Sequence, residues 1–492
     1  MVSRRYLNVA MPPTGSVNGE PGKLCTIPAQ INGEEVILSS TFDVHSPING
    51  SLIHRCSSAS VADAFSAVTA AQAAFPEWRD LPPAAKRDIF LNTAEIFKNR
   101  NKELLSYMTD ETGAGEFWSD FNITLAADIL KDIAGRISSL KAFPHQMQIY
   151  TYQVFLSQAS SASQLTYDRN APYILGVRSI AYALAAGNTA ILKASEFSPR
   201  CAWAIADCFR LGGLPADVLN TIAHSTSSAA AITEALIADS RVQKINFTGS
   251  TVVGRIIAET AGRHLKPVLL ELGGKAPAIV CEDADLEIAA TECAKGAFVH
   301  CGQVCMSTEK ILVHKDVAAA FEERYIEKVA DMFTQQGVLV NRAAVDRNMR
   351  LVRDALGKGA EVLAGTVEQD HQLPGTHMSP IVVKGVTEAM ELYNTESFGP
   401  TVSIIEIETE EEAVRMANDT PYGLTSAVFT EDLRRGLRLA KRIESGAVHI
   451  NGMTLHDETM LPHGGVKCSG YGRFGSGGLE EWVRSKTVTF KN

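Results

Sequence analysis

Val242-Gln-Lys-Ile-Asn-Phe247-Thr-Gly-Ser250-Thr-Val-Val-Gly254 reads as a short strand that breaks into a helix running to Ala261. Val242, Ile245 and Phe247 suit an extended segment, and Thr248-Gly249-Ser250 supplies a turn and a capping hydroxyl. The same alternation continues on both sides. Asn188 to Lys193 is a short apolar strand ending at a lysine, and Pro199 to Leu211 is a helix closed by Gly212-Gly213. After Pro267 another strand ends in Glu271-Leu272-Gly273-Gly274-Lys275, and a second α/β region begins. Strands alternating with helices predict an open α/β sheet. Towards the N-terminus, Val36 to Val44 predicts a strand entering the turn Ser46-Pro-Ile-Asn-Gly50. Helices are predicted from Val61, after Pro82-Pro83 to Phe97, over Glu103 to Met108, and over Phe121 to Ile137.

A chain of 492 residues is too long for one core, so two or three lobes are expected. The net charge of −10 is broken by no block of Lys and Arg, which argues against a nucleic-acid partner. A small anion such as a dinucleotide needs only a local site and stays compatible. No stretch approaches the roughly 20 apolar residues of a membrane span. The segment Met1 to Gly19 lacks an apolar run followed by a cleavage site and reads as a disordered tail. Nine scattered cysteines without a C-x-x-C pair suggest reduced thiols in the cytoplasm and no metal site.

Three segments carry chemistry. In Phe298-Val-His300-Cys301-Gly-Gln-Val-Cys305-Met-Ser-Thr, a cysteine follows Gly-Gln, and a small neighbour leaves its sulfur open to a substrate. Taken alone it is more often a small core hydrophobe. Glu271, at the end of an apolar strand beside two glycines, is either an ion-pair partner or a base. Phe247 to Gly254 opens a helix whose N-terminus suits a phosphate, or is an ordinary capped helix start. It is not G-x-G-x-x-G.

The order and spacing of the three resemble one family, the aldehyde dehydrogenase superfamily, from about residue 30 to the C-terminus. Leu192-Lys193-Ala-Ser-Glu196, Glu396-Ser-Phe398-Gly-Pro, Pro421-Tyr-Gly-Leu424 and Gly446-Ala-Val-His-Ile-Asn451-Gly extend the match. The tail, with His456-Asp457-Glu458 and Pro462-His-Gly-Gly-Val-Lys-Cys-Ser-Gly470-Tyr-Gly-Arg473, looks most like the salicylaldehyde and benzaldehyde dehydrogenase branch. His300, where most relatives have Asn, points the same way.

The resemblance implies a Rossmann-like cofactor domain (26–140 and 160–273), an α/β catalytic domain (274–470) and a small oligomerisation arm (141–159 and 479–492). It implies a homodimer or homotetramer acting on a small aldehyde. Cys305 would be the nucleophile, Glu271 the base that activates water, and Asn170 with the Cys305 N–H the oxyanion donors. Lys193 and Glu196 would meet the adenosine ribose, Gly249 and Ser250 the pyrophosphate, Glu396 the nicotinamide ribose, and Phe398 the nicotinamide. Glu196 favours NAD, because it repels a 2′-phosphate, while Lys193 leaves NADP possible. A CoA-acylating semialdehyde dehydrogenase and a non-catalytic binding protein are the alternatives. Retained Glu271 argues against the first, and intact Cys305 and Glu396 against the second. Trp118 and Phe121 suggest an apolar or aromatic substrate group, though aromatics on a helix face are more often core.

One segment departs from the family. Relatives carry an apolar strand and Pro-Trp before the oxyanion asparagine. Here Ser160-Ser-Ala-Ser-Gln-Leu-Thr-Tyr167-Asp168-Arg169 precedes Asn170, and Ala142 to Ser160 also lacks the usual pattern. Sharp boundaries and lost apolar alternation favour a misread stretch, such as a translated intron, over gradual drift. Without that strand, the cofactor sheet is expected to lose an interior member and Asn170 its support.

Overall fold

The computed structural model describes residues 24–139, 147–151, 154–159, 170–368 and 374–487. Two parallel sheets dominate. The first has eight strands in the order Gly470–Tyr471, Val268–Glu271, Val242–Thr248, Val154–Ala159, Thr189–Lys193, Leu219–Ile222, Ala29–Ile31 and Glu34–Val36. Five successive strands, from Val268–Glu271 to Leu219–Ile222, run parallel, and antiparallel strands finish both edges. The second has seven strands, with Thr308–His314 and Ala276–Val280 at its centre. Both sheets are covered by helices, as buried parallel strands require.

Local sequence explains the elements. Ser60 caps Val61–Asp80, exchanging hydrogen bonds with Asp63. Pro83 and Pro199 sit in the first turns of their helices, where a missing N–H costs nothing. Ser250 caps Thr251–Arg263, its Oγ accepting from Val253 N at 3.3 Å. The helix expected over Phe121 to Ile137 starts earlier, spanning Glu116–Arg136.

Two expectations need correction. The single strand expected over Val36 to Val44 is two strands, Glu34–Val36 and Thr41–His45, in different sheets. The chain bends between them, where Leu38 N donates to the Ser57 hydroxyl instead of to a backbone carbonyl. The interior position of the first sheet is also filled. Val154–Ala159, grouped above with the oligomerisation arm, pairs in parallel with Val242–Thr248 on one side and Thr189–Lys193 on the other. Upstream residues thus supply the sheet hydrogen bonds that the polar run before Asn170 was expected to forfeit. The earlier part of the arm, Met147–Thr151, pairs antiparallel with Val483–Thr487 as a separate ribbon. The tail Met1 to Gly19 and the divergent run 160–169 lie outside the described residues.

Asn170 stands at the entrance of Pro172–Ala185, a helix with nearly every residue buried. Among the described residues no helix is long and apolar enough to cross a membrane, and no group of three His, Cys, Asp or Glu is arranged to hold a metal.

Candidate active site

The chain crosses from the first sheet to the second in four residues. Val268–Glu271 ends in one, Leu272-Gly-Gly-Lys275 spans the gap, and Ala276–Val280 starts in the other. Leu272 N donates to Ser469 O at 3.0 Å, and the Ser469 hydroxyl donates to Gly273 O at 2.6 Å. A Cβ on Gly273 would lie 2.5 Å from Glu396 Oε2, and one on Gly274 would lie 2.2 Å from the Cys305 carbonyl oxygen. Gly274 N–H donates to Glu396 Oε1 at 2.7 Å. The paired glycines are what let Glu271, Cys305 and Glu396 converge on one crossing.

Cys305 follows a tight turn. His300, Cys301 and Gly302 are all left-handed, at φ 49°, 58° and 66°, a conformation costly for the first two. The turn is held from outside. Gly302 packs where a Cβ would meet Gly399 O at 2.3 Å. Gln303 Nε2 donates to Val338 O at 3.0 Å, and its Oε1 accepts from Val340 N at 2.9 Å. The glycine before the cysteine is thus fixed by backbone contact, and not only by a need for open space.

The electrostatics join thiol and carboxylate. Burial, then Glu271, then Glu396 push the Cys305 thiol well above its ordinary range, with Arg178 pulling the other way. Glu271 is 5% exposed, and neither of its carboxylate oxygens accepts a hydrogen bond among the described residues. His463 Nε2 lies 3.4 Å from Glu271 Oε2, and His463 Nδ1 lies 4.0 Å from Asp457 Oδ1. Asp457 in turn forms a buried ion pair with Arg178. Burial opposes ionisation of Asp457, but Arg178 and then His463 outweigh it and hold the carboxyl below its usual range.

Asn170 is buried, and its carbonyl accepts from the Trp118 indole N–H. The Trp118 ring stacks on His300 at 5.4 Å and 12°, and Phe121 tilts against the same Trp118 ring at 5.4 Å and 30°. Trp118, Phe298, Val299 and His300 line an open cleft of about 1030 Å³. The contacts of Asn170 therefore lead to the segment that carries Cys305.

Of the expected cofactor residues, Lys193, Glu196, Gly249 and Ser250 lie at or just beyond the carboxyl ends of parallel strands of the first sheet, while Glu396 and Phe398 precede the strand Thr401–Ile407 of the second. Lys193 ends its strand with its amine 2.9 Å from His224 Nε2. Burial and the Lys193 charge lower His224 to about 3, so a neutral imidazole accepts from the ammonium. Glu196 follows in the next loop and is buried. Gly249 N donates to Glu271 O at 2.9 Å, and Ser250 begins the helix whose N–H dipoles face the same edge. Phe398 is buried at φ 45°, and its N–H and that of Ser397 donate to the Glu309 carboxylate at 3.1 and 2.9 Å. Glu309 is itself paired with buried Lys275. A crevice beyond strand ends, with a helix N-terminus, a lysine and two carboxylates, has the chemistry to hold a dinucleotide.

Four contributors were not singled out from sequence: Arg178, His463, Glu309 and His224. Arg178 and Asp457 are 279 residues apart, and only folding brings them together. The Pro462-His463-Gly-Gly stretch was visible, but its histidine carried no signal of what it faces.

Comparison with known proteins shows the family. Residues 37–488 match the Aldehyde dehydrogenase family. A vanillin dehydrogenase from a Pseudomonas species is 41% identical over 478 residues, covering 95% of this chain and 98% of that protein. A benzaldehyde dehydrogenase [NAD(+)] from Pseudomonas putida is 36% identical over 465 residues, covering 91% and 92%. The crystal structure of a salicylaldehyde dehydrogenase from Pseudomonas putida, complexed with salicylaldehyde, superposes with a TM-score of 0.89 at 35% identity. It covers 95% of this chain and 98% of that one.

Proposed function

The chain belongs to the aldehyde dehydrogenase family, and we propose that it oxidises an aromatic or otherwise hydrophobic aldehyde to the acid with NAD. The observation that carries this reading is the crossing at Gly273-Gly274, which packs against the Cys305 carbonyl and brings the Glu271 charge near enough to raise the Cys305 thiol. The Cys305 thiolate attacks the carbonyl carbon, and its own N–H and the Asn170 side-chain amide hold the oxyanion. One such donor is typically worth ~3 kcal/mol. Bound NAD supplies the hydride acceptor. Lys193 and Glu196 would hold the adenosine ribose, Gly249 and Ser250 the pyrophosphate, Glu396 the nicotinamide ribose, and Phe398 the ring face. Glu271 then takes a proton from water, which adds to the Cys305 thioester and releases the acid.

The aromatic preference rests on the names of the relatives and on the Trp118–His300 stack beside the cleft. The cytoplasm suits a chain whose nine cysteines are all free. A homodimer or homotetramer suits the ribbon Met147–Thr151 with Val483–Thr487, since two-stranded ribbons leave edges to pair. NADH formation with benzaldehyde and with hexanal, compared between the native chain and Cys305→Ala, tests the reading. Turnover favouring benzaldehyde and lost in the variant supports it; turnover that survives in Cys305→Ala contradicts it.

A further inference from the structure

His463 offers Glu271 a way to dispose of a proton. Once Glu271 has taken one from water, it is a buried acid, and neither oxygen has a hydrogen-bond partner among the described residues. The next turnover needs that proton gone. His463 Nε2 is 3.4 Å from Glu271 Oε2, the nearest titratable group that the structure sets against that carboxylate as an ion-pair partner. The opposite ring nitrogen faces Asp457 Oδ1 at 4.0 Å.

Beyond His463 lies a path outward. A cavity of about 330 Å³ is lined by His463, Asp457, His456 and His449. The rings of His449 and His456 are 5.1 Å apart, and His456 is exposed, reaching Glu458 at 3.0 Å. An imidazole can take a proton on one ring nitrogen and release one from the other, which is what a relay needs. Burial and then His456 lower His449 to about 4, so it stays neutral and the exposed His456 is the ring that meets solvent.

We propose that His463 is the residue through which Glu271 sheds its proton, passing it into the histidine-lined cavity and to solvent. The proposal rests on the reading of Glu271 as the base of deacylation. In the step, water loses a proton to Glu271 while its oxygen bonds to the acyl carbon. The C–S bond breaks and its electron pair returns to Cys305. Glu271 then gives the proton to His463 Nε2, and Nδ1 releases its own to water in the cavity. Asp457, fixed by Arg178, orients the ring and stabilises the transient imidazolium. His463 acts through Glu271 and is a positioning residue.

The charged and titratable groups that face His463 are Glu271 at the crossing, Asp457 with Arg178 behind it, His456 and His449 across the cavity, and Arg473 beside Gly464.

Stopped-flow NADH fluorescence with benzaldehyde and NAD separates the two halves of the reaction. His463→Phe and His463→Gln should keep the first turnover of NADH and lose at least about tenfold in steady-state rate. Their acidic limb in the pH–rate profile should change, and imidazole in the buffer should restore part of the rate of His463→Ala. Steady-state rates within about twofold of the native chain, with the native pH profile, would overturn the proposal. A loss confined to the first turnover would overturn it too. Absence of NADH formation by the native chain removes the reading of Glu271 and this proposal with it. Native activity with an unaffected variant removes the proposal alone.

Discussion

Cys301 and Cys305 are thiols four residues apart, and their surroundings separate them. Cys301 is pushed up to about 12 by burial, with its sulfur packed where a Cβ on Gly337 would sit 1.9 Å away. Cys305 has carboxylates as neighbours instead. Cys305→Ala is expected to lower NADH formation by ~10⁴-fold or more, as removal of a nucleophile does. Cys301→Ala should keep the rate within about threefold and cost ~1 kcal/mol of stability, a figure typical for trimming a packed side chain. Because the Glu271 charge disfavours the thiolate, the sign of its removal is fixed. Without cofactor, alkylation of Cys305 by iodoacetamide should speed up with rising pH. In Glu271→Gln the same profile should move to lower pH. A shift to higher pH would show that the carboxylate deprotonates the thiol instead of repelling the thiolate. The strand ending at Glu271, the turn before Cys305 and the glycines between the sheets were legible in sequence, because each is a local pattern. His463 was not, since what it faces is set by residues almost two hundred positions away.

Among the elements, the turns matter more than the strands they join. Gly274→Ala would place a methyl carbon 2.2 Å from the Cys305 carbonyl. A displacement of about 1 Å at the nucleophile is expected to cost ~10²-fold in kcat, with circular dichroism unchanged. The Phe398 turn depends on Glu309, whose charge is balanced by Lys275. Lys275→Met should destabilise the fold by ~3–5 kcal/mol in denaturant unfolding, since it strands a buried carboxylate. The helix starting at Ser250 was readable because its cap is written beside it. The strand Val154–Ala159 was not readable. Its alternation is weak, and only its two parallel neighbours give it a place in the sheet.

At the scale of the whole molecule, function is a matter of where two sheets meet. The first offers strand ends and a helix N-terminus that suit a dinucleotide, and the second carries the thiol, the cleft wall and Glu396. The fold class and both α/β regions followed from sequence, because hydrophobic period and strand–helix alternation are properties of each stretch alone. The approach of Arg178 to Asp457 across 279 residues is a product of the assembled lobes and leaves no local trace. In the proposed mechanism Cys305 carries the substrate's acyl group until Glu271 admits water. Intact-mass and peptide mapping of Glu271→Gln, quenched after mixing with benzaldehyde and NAD, tests it most directly. A benzoyl-sized mass increase on the peptide bearing Cys305, formed in step with one equivalent of NADH, is the expected result. NADH produced with no such adduct, or with the adduct on Cys301, would contradict it.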